Sequence, residues 1–163
     1  MTSILKVSTI QNTAGTAPTA GDLGLNVTGS VLQVVQGEQT GTQTSTSTSY
    51  VDITGLTASI TPISTSSKVL VQWSVNGYVP ANNGILIVPA RGSTQFYYNS
   101  SNAYEFWADA SQLHWRIANQ YLDSPATTSS TTYKMQMKTT GGSSTQVGSY
   151  SYPMTITLME IAG

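Results

Sequence analysis

The chain has 163 residues and a mass of 17.3 kDa, carries a formal net charge of −1, and only 8% of its residues are charged. This length suits one domain with an appended segment and is too short for two independent cores. The six Lys and Arg residues are scattered singly, which excludes a basic stripe for nucleic acid, and the absence of Cys excludes disulfides and thiolate metal sites. We expect neither a signal peptide nor a membrane span, because the longest aliphatic run covers only residues 85–88.

Hydroxyl groups take the place of charge on this chain. It contains 25 Thr and 22 Ser, whereas an average globular chain has about 25% charged residues. Charge keeps solitary molecules apart in solution, and a surface with little of it suits packing against copies of itself. We therefore expect a homo-oligomer.

Residues 1–30 are predicted to form an extended N-terminal arm. A short apolar alternation is followed by a stretch rich in Gly, Pro and Asn, which forbids a long regular element. Exposed apolar side chains in an arm would form an unsatisfied strip, so we expect them to dock on a neighbouring subunit or on another protein. The candidate anchoring residues are Ile4, Leu5, Val7 and Ile10.

Residues 40–50 read TGTQTSTSTSY, with Thr at every even position from 40 to 48. The composition is typical of a linker, but the period of two is typical of a strand. Patterned strands are predicted on both sides, at residues 31–35 and 50–60. We therefore predict a Thr-faced strand at residues 40–44 and a turn before Tyr50, with the row of hydroxyls as a candidate face for a neighbouring subunit.

The remainder of residues 31–163 reads as short strands separated by turn residues. Seven to nine strands without crossover helices predict an all-β fold, an antiparallel β-sandwich of jelly-roll type. Residues 102–110 are the one stretch in which we expect one or two helical turns. In the clearest strands, alternation places these residues inward: Val69, Val71, Trp73, Val75, Leu113, Trp115, Ile117, Tyr133, Met135, Met137, Met154, Ile156 and Leu158.

Seven motifs follow one another along the chain: ILKVSTIQNTAG, GSVLQVVQ, SYVDITGLTASITP, STSSKVLVQWSVNG, YLDSP, STTYKMQMKT and TITLMEIAG. Their order resembles a family of short structural proteins of tailed phages, especially those of cyanobacterial hosts, described as tail-fibre-like or virion structural proteins. The resemblance covers nearly the whole chain and is weakest over residues 77–115. It implies a trimeric β-rich projection, located on the virion after assembly in the host cytoplasm, whose N-terminal segment attaches to the particle. It implies no catalytic residues.

Catalysis has little support in the sequence. His114 is the single histidine, it falls on the solvent side of its strand, and no nucleophile motif accompanies it. Glu105 and Asp109 would share one face of a helix and could be drawn as a glycosidase pair, but two solvated loop acids are the simpler interpretation. We expect no enzyme activity, no cofactor and no metal site.

Six aromatic residues fall between positions 97 and 115. Trp115 is in phase with the inward residues of its strand, so the period assigns it to the core. Aromatic faces beside hydroxyls and amides are also how a protein with little charge can contact sugars or another protein. The candidates for such a surface contact are Tyr97, Tyr98, Tyr104 and Trp107.

These observations favour a non-enzymatic virion protein, a short trimeric tail-fibre-like projection that is fixed by its N-terminal arm and contacts host surface glycans. One alternative is a capsid decoration protein that stabilises the phage head. A further alternative, from another class, is a free lectin-like module that binds glycans.

Overall fold

The chain folds as two antiparallel β-sheets that pack against each other as a β-sandwich. The structure is a computed structural model, and it describes residues 9–11, 14–17, 28–96, 106–149 and 152–163. These residues contain no helix long and apolar enough to cross a membrane. They contain eleven strands: β1 (Val31–Gln39), β2 (Gln43–Ser45), β3 (Val51–Ile60), β4 (Lys68–Val79), β5 (Asn83–Arg91), β6 (Thr94–Gln95), β7 (Phe106–Ala108), β8 (Leu113–Asp123), β9 (Thr131–Thr139), β10 (Thr145–Val147) and β11 (Met154–Ile161).

The first sheet, called sheet A, has four columns of strands. β1 pairs with β11, β11 with β4, and β4 with β8. Beside the C-terminal end of β4, β10 takes the place of β11, and Val147 lies opposite Gly77. β2 pairs with β10 there, in the same way that β1 pairs with β11. Sheet A therefore has β1 and β2 along one edge and β8 along the other.

The second sheet, called sheet B, has the order β3-β9-β5, with β6 and β7 both paired to β5. Every residue of β5 except Arg91 is buried, which fits its unbroken aliphatic run, because a strand covered on both faces needs no polar alternation. The register of β3 against β9 shifts between Asp52 and Thr57. Gly55 lies within this bulge at a φ of +82°, a backbone conformation that glycine adopts without steric cost.

The core lies between the sheets, and it confirms the inward residues predicted from the period of two. Most of them are buried in one cluster, and Leu113 and Ile117 are partly buried against it. Fully burying an aliphatic or aromatic side chain of this kind stabilises the fold by about 1.5–3 kcal/mol. Since most of the long strands turn one side to the core, their other residues form the outer faces of the sandwich.

The prediction of helical turns at residues 102–110 is wrong for the part of that segment that the structure describes. Residues 106–108 form β7, in which Phe106 lies opposite Ile85 of β5. The Phe106 ring also stacks on Trp115, with ring centroids 4.8 Å apart. Pairing with a distant strand and burial of an aromatic ring override the local preference here. Residues 102–105 lie outside the described part of the chain.

The Thr-rich stretch is a strand, but a shorter one than predicted. β2 covers only Gln43–Ser45, because the edge of sheet A changes its pairing from β11 to β10 between Gln39 and Gln43. At this step the Thr42 hydroxyl donates a hydrogen bond of 2.7 Å to the carbonyl of Gly148. The predicted exposed row is confirmed, since all five even-numbered threonines are exposed: Thr40, Thr42, Thr44, Thr46 and Thr48. The expectation of seven to nine strands was too low, because short strands such as β2, β6 and β7 have little periodicity.

Candidate functional site

The outward-facing residues of sheet A align in rows across its strands, because register partners on neighbouring strands point to the same side. One row consists of four register partners, Val34 of β1, Met159 of β11, Leu70 of β4 and Leu122 of β8. Val34 is 56% exposed and Leu122 is 47% exposed. We call these four residues the apolar row. They form a band of hydrophobic surface across the full width of the sheet.

The adjacent row is made of amides and a hydroxyl. Gln36, Thr157, Gln72 and Gln120 are register partners. The side chain of Gln72 donates a hydrogen bond of 3.0 Å to Gln120, and the Thr157 hydroxyl donates one of 3.4 Å to Gln36. We call these four residues the amide row. Hydrogen bonds within the row satisfy part of its polar capacity and reduce the cost of covering it with another protein surface.

No charged side chain belongs to either row. Lys68 lies opposite Ile161, one step beyond the apolar row, and Glu38 lies opposite Thr155, one step beyond the amide row. A hydrophobic and amide centre bordered by charges is the usual anatomy of a protein interface. The two rows therefore form a candidate contact surface.

The opposite end of the same outer face contains an open cleft of about 310 Å³, which we call the end cleft. Asn76 is buried among the groups that line it, with 4% of its surface exposed. Its amide donates a hydrogen bond of 3.2 Å to the carbonyl of Tyr152 and accepts one of 2.8 Å from the backbone N–H of Ser149. Asn76 thus fixes the segment between β10 and β11 against β4. The lining residues are Asn76, His114, Trp115, Arg116, Ser149 and Tyr152.

Two basic side chains of β8 lie at this cleft. His114 and Arg116 are both exposed and stand on the same side of the strand, opposite Tyr78 and Asn76 respectively. The rings of His114 and Tyr78 are 5.4 Å apart at an interplanar angle of 48°. The Nε atom of Arg116 donates a hydrogen bond of 3.3 Å to the hydroxyl of Ser74. The guanidinium therefore keeps donors that a ligand could use.

Arg116 takes part in neither of the two ion pairs found in the described residues. One of them joins Arg91 to Asp123 at 3.0 Å, and the other joins Lys134 to Asp52 at 2.8 Å. Hydrogen bonds from Gln136 and from Lys134 hold the pKa of Asp52 below its ordinary value. Both ion pairs link strands, so we interpret them as structural.

The aromatic candidates are only partly described. Trp107 is 45% exposed on β7, in agreement with the surface position considered for it, and Trp115 is 6% exposed, which confirms its assignment to the core. Tyr97, Tyr98 and Tyr104 lie outside the described residues. The surface contact proposed for this group stays a prediction.

The anchoring candidates fall mostly outside the described part of the chain as well. This applies to Ile4, Leu5 and Val7, whereas Ile10 is described and is 54% exposed. The chain joins sheet A shortly before β1, where the N–H of Gly29 donates a hydrogen bond of 2.8 Å to the carbonyl of Ala162. The end of the predicted arm therefore lies beside the apolar row, at the start of β1.

Two of the buried polar side chains, Tyr133 and Glu160, make hydrogen bonds that the sequence does not indicate. Tyr133 is fully buried, and its hydroxyl donates a hydrogen bond of 2.7 Å to Asp123. Burial, together with this hydrogen bond, raises the pKa of Tyr133 above its ordinary value of 10.0. The alternation of β9 predicted that Tyr133 points inward, but its partner lies on a different sheet and has no local signal.

Glu160 is the second group, and its side chain is also fully buried. It accepts hydrogen bonds of 2.6 Å from the Gln33 amide and 2.7 Å from the backbone N–H of Ile63. Burial by itself raises the pKa of Glu160, but these hydrogen bonds outweigh it and hold the pKa below the ordinary value of 4.5. The carboxylate joins β11 to β1 and to the loop after β3, which is a structural role.

The geometry offers little for catalysis. Asp109 is exposed and its proposed partner Glu105 lies outside the described residues. His114 lies at the end cleft, whose lining residues within the described part of the chain include no Asp or Glu. In the part of the chain that the structure describes, no three His, Asp or Glu side chains are grouped so that they could hold a metal ion.

The alternation of β8 predicted that His114 faces outward, but the sequence did not indicate the rows that the outward residues of sheet A form. The available signal was the departure from strict alternation at Leu70, Leu122 and Met159, which are apolar residues at outward positions. Compared with protein-family models and with curated proteins, the chain matches none. The resemblance to phage structural proteins therefore depends on the sequence motifs.

Proposed function

We propose that this protein is a non-enzymatic structural protein on the outside of a tailed-phage virion, where it forms a homotrimer through the outer face of sheet A. The observation that carries the proposal is the exposed apolar row, which crosses all four strand columns beside the uncharged amide row. The order of the sequence motifs supports the placement on a virion. Residues 1–30 attach the β-sandwich to the particle.

A second copy of this chain is the partner that the face fits best. Burial of an exposed apolar band is favourable, and the few charges of the chain provide little repulsion between copies. Lys68 and Glu38 border the two rows with opposite charges, so they can form rim pairs between copies.

The size of the face indicates that the N-terminal arm also contributes. Four strand columns about 4.8 Å apart, over about eight residues at about 3.3 Å each, give roughly 500 Å². A standard stable interface buries about 800 Å² per partner. We assign the difference to the apolar residues of the arm, whose last residues lie beside the apolar row.

The oligomeric state tests this proposal. We expect sedimentation velocity and light scattering at micromolar concentration to give a trimer for the full chain. Val34→Glu places a charge in the apolar row and should shift the protein toward monomer, because an unpaired carboxylate would have to be buried in the interface. Thr54→Glu adds the same charge at an exposed position of β3, on sheet B, and should leave the trimer intact.

A stable monomer of the unmodified chain at micromolar concentration would contradict self-association. Equal dissociation by Val34→Glu and Thr54→Glu would show that added charge, and not the apolar row, weakens the oligomer. Circular dichroism and thermal unfolding of both variants control for loss of fold.

Antibody labelling of phage particles in the electron microscope tests the placement. Labelled tails are expected for a tail-fibre-like projection, and labelled heads would favour the capsid decoration alternative. Deletion of residues 1–28 should abolish incorporation into particles while the β-sandwich still folds, as judged by circular dichroism. Unlabelled particles would overturn the virion assignment.

A further inference from the structure

We propose that the end cleft binds a carboxylated sugar, with Arg116 as the residue that holds the carboxylate. The proposal concerns the end of sheet A opposite the apolar row, and it does not depend on the virion assignment or on the trimer. It also differs from the aromatic segment that contains Trp107, which lies on sheet B.

Basic side chains are concentrated at the end cleft. The whole chain has six Lys and Arg residues and one His, and two of these seven side chains lie side by side at the cleft. The planar guanidinium of Arg116 can present two parallel N–H donors to a carboxylate, which is the strongest anion contact a single side chain makes. No ion pair within the described residues uses this guanidinium.

Tyrosine rings lie at the walls of the cleft. Tyr152 is 57% exposed, and Tyr78 lies beside His114 at the same end of the face. An exposed tyrosine offers an apolar ring face on which the C–H groups of a sugar can lie, and a hydroxyl for its polar groups. A simple inorganic anion would make no apolar contact with these rings. A ring-shaped ligand that bears a carboxylate uses both features.

The cleft is held in place by hydrogen bonds and has the size of a small-molecule site. Asn76 is buried and makes hydrogen bonds to the backbone at Ser149 and Tyr152, so the side of the cleft that these two residues form is held against β4. The volume of about 310 Å³ is at the lower end of the range for small-molecule sites, about 300–1,000 Å³, which suits one sugar unit and not a long buried chain.

The cleft is also remote from the apolar row. His114 and Leu122 lie at opposite ends of β8, roughly 27 Å apart for an extended strand. Contact between copies centred on the apolar row and the amide row leaves the cleft accessible, because Ser74 and Ala118 lie between those rows and Arg116. Binding and self-association can be changed separately.

The test is a titration of the full isotopically labelled chain with trigalacturonate, followed by NMR at constant ionic strength. We expect saturable shifts of His114, Arg116 and Tyr152. Arg116→Gln should weaken binding about tenfold or more, the usual effect of losing one hydrogen bond to a charged group. Lys68→Gln removes the same charge at the other end of the face and should leave the affinity unchanged. Thermal unfolding checks that both variants remain folded.

Three further titrations separate the possible ligands. Methyl-esterified trigalacturonate should bind at least about tenfold more weakly, because the carboxylate is blocked. A triglutamate peptide should also bind more weakly than trigalacturonate, because it lacks the sugar ring. Val34→Glu, which should dissociate the trimer, should still bind trigalacturonate. Loss of the trimer and loss of sugar binding can therefore be observed separately.

Several outcomes would overturn the inference. These are the absence of saturable shifts with trigalacturonate, an equal loss of affinity in Lys68→Gln, and equal affinity for the esterified sugar. Equal or tighter binding of triglutamate or of inorganic phosphate would overturn the assignment to a carboxylated sugar.

Discussion

The hydroxyl of Tyr133 donates a hydrogen bond of 2.7 Å to Asp123, and the two residues belong to opposite sheets of the sandwich. Arg91, also on sheet B, lies 3.0 Å from the same carboxylate oxygen. The carboxylate therefore joins the two layers at the end of β8, next to Leu122 of the apolar row. A polar link between the sheets fixes their relative position more specifically than apolar packing does, because its geometry is directional.

Tyr133→Phe should destabilise the fold by about 1–3 kcal/mol, because Asp123 loses a hydrogen bond in a buried position. Urea unfolding should show a lower midpoint with an unchanged slope. Tyr121→Phe is the matched control. Tyr121 is 36% exposed and its ring stacks on Phe96, so loss of its hydroxyl should change stability by less than about 0.5 kcal/mol. Equal effects of the two variants would contradict the role of the Asp123 hydrogen bond.

Tyr133 should also make the protein less stable in alkali. Its pKa is raised in the folded state, so the unfolded chain loses its proton first, and stability is fully present below about pH 10 and declines as the pH rises above it. The free energy of unfolding, measured between pH 8 and 11, should fall less steeply in Tyr133→Phe than in the unmodified protein. Parallel curves would contradict this prediction.

Glu160→Gln should cost about 1.5–3 kcal/mol at pH 7, because an amide cannot accept every hydrogen bond that the carboxylate accepts. The pKa of Glu160 is depressed in the folded state, so its contribution is complete above the ordinary value of 4.5 and is lost as the pH falls through the lower folded pKa. The difference in unfolding free energy between the variant and the unmodified protein should therefore shrink as the pH is lowered from 7 to 3.

Glu38→Gln provides the control for this pH series. Glu38 is an exposed residue of β1, and its replacement should have a small effect on unfolding free energy at every pH. A constant effect of Glu160→Gln between pH 7 and 3 would show that the buried ionised carboxylate is not what stabilises this end of the sandwich.

Gly77→Ala should destabilise the protein by about 1–3 kcal/mol through overpacking. A Cβ atom at this position would overlap the backbone oxygen of Gln146 and lie 2.6 Å from the ring of Trp115. Gly41→Ala is the control, since its nearest contact would be the flexible end of the Gln39 side chain at 3.1 Å. Thermal unfolding of both variants measures the difference, and an equal decrease in Tm would contradict the close approach described at Gly77.

Trp115 and Trp107 should differ strongly in their response to substitution. Trp115→Ala removes a buried ring that stacks on Phe106 and should cost about 3–5 kcal/mol. Trp107→Ala removes a ring that is 45% exposed and should cost less than about 1 kcal/mol. Denaturant unfolding of both variants tests the core position that the period of β8 predicts for Trp115 and the surface position considered for Trp107. Similar losses would contradict it.

The candidate site could be predicted from the sequence only in part. The outward positions of His114 and Arg116 follow from the alternation of β8, since neighbouring residues of a strand point to opposite faces. Nothing local indicates that Tyr152 and Asn76 meet them, because that contact depends on the pairing of β4 with both β8 and β10. The buried partners of Tyr133 and Glu160 were missed for the same reason.

The sequence by itself determined which side of each long strand faces the core, because a period of two is a local property that burial on one face imposes on the chain. The tertiary structure decided which strands are neighbours. Val34, Leu70, Leu122 and Met159 form one row only because β1, β11, β4 and β8 are adjacent in that order. Register between distant strands is set by the packing of the whole sandwich, and each strand alone contains too little information to fix it.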